Sequence, residues 1–156
     1  MEAVAIAIAI LVLVGISLGI VFAVLIQRMK AAGRDRLQVR FPAQTILRSD
    51  LTANFFGLES RGRRQVRGNG VLALTSEELW FSRFTPRNDL AIPLSQIETV
   101  RLITSHLGKR IFGRQLLYIQ FQTPEGTDAA AWLVAQPEEW QAAIAAYCSS
   151  LTDTRE

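Results

Sequence analysis

One cysteine, Cys148, and one histidine, His106, are all this 156-residue chain has of either type. A lone cysteine forms no intrachain disulfide, so the fold must be stable without that staple, which fits a reducing compartment. One His and one Cys do not make a Cys/His metal site. His106 has Lys109 and Arg110 as near neighbours and no carboxylate close by in sequence to orient it as a base. It is expected to be a surface or hairpin residue. Asp89, Glu98, Glu125 and Asp128 are scattered beside turn residues, as solvated carboxylates are. These absences leave no catalytic candidate, no metal site and no cofactor, and the chain is expected not to be an enzyme. Lysine is also scarce, with Lys30 and Lys109 the only two among 17 basic residues.

Charge is missing altogether from Ala3 to Ile26, where Ser17 is the one hydroxyl. At about 1.5 Å per residue such a run crosses a ~30 Å hydrocarbon layer with some tilt. A cleaved signal peptide would want a basic start, a shorter apolar stretch and a small-residue cleavage site. The chain instead opens Met1-Glu2, and the run ends Leu25-Ile26-Gln27-Arg28. Residues 1–27 are therefore expected to be a transmembrane anchor. Arg28, Lys30, Arg34 and Arg36 follow it at once, while nothing basic precedes it. Basic flanks stay on the cytoplasmic side, so the N-terminus is expected outside and the domain in the cytoplasm. Gly15 and Gly19 have the GxxxG spacing that lets two helices approach closely, an opening for a homodimer. The plainer reading is that glycine is common in membrane helices.

Charge is also uneven beyond the anchor. Basic residues dominate from Gln27 to Arg67, whereas from Gln115 onward Arg155 alone faces Glu125, Asp128, Glu138, Glu139, Asp153 and Glu156. Residues 28–50 read as a basic juxtamembrane linker, with Ala31-Ala32-Gly33-Arg34-Asp35 breaking or fraying the helix and Phe41-Pro42 opening an extended passage.

From Leu51 the pattern is short strands separated by turns. Leu51–Glu59 is apolar and aromatic, and Arg61-Gly62-Arg63-Arg64 is a loop. Gly70–Thr75 and Leu79–Phe84 form a hairpin about Ser76-Glu77-Glu78. Leu90–Ile92 and Ile97–Ile103 follow, and His106–Arg114 is a basic loop. Leu117, Ile119 and Phe121 alternate with Tyr118, Gln120 and Gln122, then Pro124-Glu125-Gly126 turns into Ala129–Val134. Pro137-Glu138-Glu139 starts a helix whose Trp140, Ile144, Tyr147, Cys148 and Leu151 share one face. Gly68-x-Gly70-x-x-Ala73 is a loose dinucleotide fingerprint, but that motif needs a helix after it and here a strand pattern follows. The glycines are expected to permit a bend or bulge.

This order resembles the pleckstrin-homology (PH)-like superfold in its bacterial PH and GRAM-like versions. Gly68-Asn69-Gly70-Val71-Leu72-Ala73-Leu74-Thr75, Leu79-Trp80-Phe81 and Ile92-Pro93-Leu94-Ser95-Gln96-Ile97 carry the resemblance, with Trp140 in the place of an aromatic plug. It implies a mainly-β (α+β) PH-like barrel of about seven strands over residues 51–151, capped by one C-terminal helix, so that the expected architecture is the transmembrane α-helix, this barrel, and 152–156 as a tail. It does not carry over a phosphoinositide site. Arg61-Gly62-Arg63 falls in a loop rather than the second strand, and Glu59 stands where the family's lysine would help.

Arg61, Arg63, Arg64 and Arg67 in one loop, and Lys109, Arg110 and Arg114 in another, are the candidate lipid- or partner-binding residues. In a PH-like fold both loops would border the open end. Each basic group near an anionic leaflet contributes about 1 kcal/mol, and a tether raises the effective concentration. An ordinary solvated surface is the competing explanation. Nucleic acid would use the same charges, but the hairpin aromatics read as core, so no nucleic acid is expected. The chain is thus expected to be a non-enzymatic membrane-anchored adaptor for a protein partner or anionic lipid headgroups. An uncharacterised enzyme or enzyme accessory subunit, or a structural subunit of a membrane complex, are the alternatives.

Overall fold

The computed structural model describes residues 1–42 and 45–153, with backbone only from 149 onward. Its first element is one helix, α1 (Glu2–Arg40). The apolar half stands free of the rest of the chain, 0% buried, and is long and apolar enough to cross a membrane. The expected break at residues 31–35 does not occur. Gly33 costs a helix about 1 kcal/mol relative to alanine, but here it is a contact point: a Cβ on it would sit 3.4 Å from the Leu51 side chain. Leu37, one turn on, is buried with Val71, Ala73 and Trp80. Docking on the sheet therefore holds the helix together where composition suggested fraying. Phe41 takes an extended conformation and ends it, as a residue before proline does.

Seven strands follow: β1 (Ile46–Leu58), β2 (Gly68–Thr75), β3 (Glu78–Arg83), β4 (Asn88–Pro93), β5 (Ile97–Ile103), β6 (Leu116–Thr123) and β7 (Gly126–Leu133). β1 starts five residues before the expected Leu51, so α1 and β1 replace most of the linker read at 28–50. The strands form one sheet in the order β4-β3-β2-β1-β7-β6-β5, every pair antiparallel. β1 is the bent spine, pairing β2 through its first part and β7 through its last. The β1–β2 register slips between Asp50 and Ala53, where Ala53 meets Gly70. A Cβ at Gly70 would lie 2.3 Å from the Ser82 carbonyl oxygen. The glycine thus serves a close backbone approach beside a bulge, and β2 rather than a helix follows it.

The ends of the sheet, β4 and β5, are not paired to each other, so the barrel is partial. Helix α2 (Pro137–Asp153) lies over β5, β6 and the short turn after β4. It seats Trp140 and Ile144 in the main core with Leu72, Leu74, Phe81, Ile119 and Trp132. Tyr147 and Cys148 are half-buried on the same face. The expected fifth member, the Leu151 side chain, lies outside the described residues.

Candidate functional site

The two arginine-rich loops are built on a shared inward scaffold. After β1, residues Glu59–Arg61 make one 3-10 turn, pinned by Asp128, whose carboxylate accepts from the Ser60 amide (2.9 Å) and hydroxyl (2.6 Å). Gln65 turns inward: its side chain accepts from the Leu58 amide (3.0 Å) and donates to the Leu58 and Gly62 carbonyls (2.6 and 2.7 Å). Arg83 Nη2 donates to the carbonyls of Val66 and Arg67, 3.1 Å each. The loop is thus organised from within, and Arg61, Arg63, Arg64 and Arg67 are left exposed. Arg67 lays its guanidinium 5.1 Å from the centre of the Phe56 ring.

The loop between β5 and β6 folds back over Phe56, Leu116, Tyr118, Ala129 and Ala131, a second small core. His106 and Lys109 exchange backbone hydrogen bonds of 2.9 Å and close its turn. His106 is in a hairpin as expected, but it is not on the surface: it is 4% exposed. Its Nε2 lies 3.0 Å from the Gly57 carbonyl, an acceptor only, so Nε2 carries the proton. Nδ1 faces Glu59 at 3.9 Å, too far for a hydrogen bond. Burial pushes its pKa below the usual value, opposed by the Gly57 hydrogen bond and by Glu59. Glu59 is the carboxylate that the local sequence around His106 did not supply.

Lys109 is half-buried, and its ammonium donates to the Phe56 carbonyl (3.4 Å) and to that of Gln65, tying the two loops together. Burial and the neighbouring Arg67 hold its pKa down. Of the seven candidate cations it is the one committed to structure. Arg110 and Arg114 are exposed. Among the described residues, ion pairs form at Arg40–Glu78 and Arg48–Glu139, and none of the six candidate arginines takes part.

The docked part of α1 lies against the same sheet. Arg36 Nη1 donates to Ser82 Oγ (3.0 Å) and the Arg83 carbonyl (2.8 Å), and Arg40 pairs with Glu78 at 2.8 Å. Arg40 thus reaches the Glu78 end of β3 and Arg36 its Arg83 end. The arginine loop joins the sheet at that end, held by Arg83 itself. The second loop is tied to it through Lys109. Leu117 pairs with Trp132, so the base of the loop is level with the end of β7. The next residues, Ala135 and Gln136, line a groove of about 280 Å³ with Lys30 and Arg34 of α1. Lys30 is only about 6 Å of helix beyond Ile26. Residues 48–52 of β1 line the same groove, and Gly33 meets Leu51, so α1 crosses the sheet from β3 over β2 to β1.

Sequence reasoning read the juxtamembrane arginines as one run. In the structure Arg36 and Arg40 face the sheet, and their spacing of four, one helical turn, was the available signal. Gly15 and Gly19 have nothing within 4 Å of a would-be Cβ, so that face of the helix is open. Among the described residues no three His, Cys, Asp or Glu side chains gather as metal ligands.

No protein-family model matches the sequence, and no curated protein matches it. Solved structures do. The Vps36 N-terminal PH domain aligns at 14% identity and TM-score 0.50, covering 69% of this chain and 81% of that one. The C-terminal domain of an unknown protein from Leishmania infantum aligns at 17% identity and TM-score 0.47, covering 67% and 84%. A chain of the 8S snRNP assembly intermediate aligns at 13% and 0.48, covering 70% and 83%. With its seven antiparallel strands and single capping helix, the chain is similar to the Vps36 domain in architecture: the fold is PH-like.

Proposed function

We propose that the protein is a non-enzymatic, single-pass membrane module whose PH-like domain applies its arginine face to anionic lipid headgroups on the cytoplasmic leaflet. The observation that carries this reading is one joined surface of exposed arginines. Among the described residues Arg61, Arg63, Arg64 and Arg67 are exposed and enter no ion pair, and Lys109 ties their loop to the one that carries Arg110 and Arg114. Charges aimed away from the bilayer would gain nothing, because the attraction fades over a Debye length of about 8 Å at physiological salt. Specificity for one inositol phosphate is not part of the proposal. The non-enzymatic reading is supported by the structural commitment of His106 to Gly57 and of Lys109 to Phe56 and Gln65.

Hydrogen exchange of the full chain in nanodiscs tests it. Residues 59–68 and 104–115 should exchange several-fold more slowly in anionic than in neutral discs. High salt should erase the difference, and so should the quadruple variant R61S/R63S/R64S/R67S. Equal exchange in both lipids at low salt would remove the lipid reading.

A second reading, capture of a protein partner, is favoured by the β4 edge. β4 ends the sheet order, and beside it runs a groove of about 510 Å³ lined by Val39, Arg40, Trp80, Ser82, Arg87 and Asp89. An extended peptide adds to such an edge through its main chain. A crosslinking pull-down from intact membranes, compared with the quadruple variant, separates the two: a partner retained when the arginines are gone binds elsewhere.

A further inference from the structure

Among the described residues, and apart from the apolar half of α1, the large apolar side chains left exposed are Val39, Leu47, Val66 and Phe112. Phe112 is 98% exposed and Val66 76%, and each sits within one of the two arginine loops. Single exposed apolar residues are ordinary, so exposure alone carries nothing. The surroundings carry more. Ile111 packs into the cluster of Phe56, Leu116 and Tyr118, while Gly113 at φ 67° turns the chain immediately after Phe112. A loop anchored on its inner side therefore holds an aromatic ring outward. The other loop repeats the arrangement, with Gln65 turned in and Val66 turned out. Arg110 and Arg114 stand two residues either side of Phe112, and Arg64 and Arg67 flank Val66.

We propose that Phe112, with Val66 as its lesser companion, is a membrane-inserting tip that enters the acyl region just below the headgroups while the flanking arginines take the phosphates. The occupant is an anionic bilayer surface. Phosphate above hydrocarbon is the layered target that an apolar tip ringed by unpaired cations fits, and the apolar half of α1, long enough to cross a membrane, would keep both loops near one. This rests on the reading that the arginine face meets lipid, and adds penetration to it.

The test uses the full chain in nanodiscs of phosphatidylcholine with an anionic lipid. Phe112→Cys and, as the far-side control, Ser76→Cys are each made in a Cys148→Ser background and labelled with an environment-sensitive fluorophore. Quenchers are placed either on the headgroup or on the upper acyl chain. Insertion predicts that both quench the position-112 probe several-fold more than the position-76 probe. Quenching from the headgroup alone would overturn insertion and leave the surface reading standing; no excess from either would overturn both. Because a fluorophore can itself drive insertion, a probe at Ser105→Cys gives a second measure with the native ring in place. Phe112→Ser should lower its headgroup quenching at least twofold and Phe112→Leu should keep it. Equal values for these two variants would also overturn the proposal.

Discussion

His106 shows most sharply what a single residue does here. Neutral, with its proton on Nε2, it joins the β5–β6 loop to β1 through Gly57. Its folded pKa is lowered, chiefly by burial, whereas in the unfolded chain it returns to about 6.5. Between those two values the unfolded chain binds a proton that the folded chain does not. Stability therefore falls as pH drops through about 6.5 and levels off below the folded pKa. Thermal unfolding of the full chain in nanodiscs should show a lower midpoint at pH 5.5 than at 7.5. His106→Gln, whose amide can still donate to Gly57, should flatten that dependence, and an unchanged slope would acquit His106. The sequence showed that this histidine lacks a local carboxylate. It could not show Glu59 or Gly57, which only the folding-back of the loop brings near. Lys109 was hidden for the same reason: a lysine among arginines reads as surface until its carbonyl partners are known.

Among the elements, strand count, strand order along the chain and the terminal helix were all legible. Alternation at Leu117, Ile119 and Phe121 and the period change after Pro137 are local signals. The juxtamembrane segment was not legible, because Gly33 means a break in isolation and a contact against Leu51. The docking of α1 rests on Gly33, Leu37, Arg36 and Arg40. Replacing buried Leu37 by alanine should cost about 2 kcal/mol, at the lower end for such changes because the cluster is small. Gly33→Leu should push the helix off Leu51. In either variant, amide exchange over residues 30–40 should rise while β6 and β7 keep their protection. Protection unchanged over 30–40 would mean that the helix holds itself without the sheet.

For the whole molecule, the reading proposed above joins a bilayer, a continuous helix and a domain in one orientation. The basic flank Arg28, Lys30 and Arg34 favours a cytoplasmic domain. A cysteine placed at Ser76, in the exposed β2–β3 turn, should react with a membrane-impermeant maleimide only after the cells are permeabilised. Labelling of intact cells would reverse the topology. The PH-like architecture could be reached from the sequence because its motifs lie in strands. The joining of the two basic loops through Lys109 could not, because it depends on contacts distant in sequence, and neither could the crossing of α1 over the sheet.

That crossing has a mechanical consequence. From Ile26 to Arg40 the helix runs unbroken for about 21 Å, with no swivel between the apolar segment and the sheet. It is a lever arm. A change in bilayer thickness that tilts the buried segment by about 10° would swing the docked domain sideways by roughly 4 Å, lifting one side of its lower face and pressing down the other. A domain on a slack tether would ignore the bilayer beneath it, whereas in the arrangement proposed above this one would register the bilayer's thickness as a displacement.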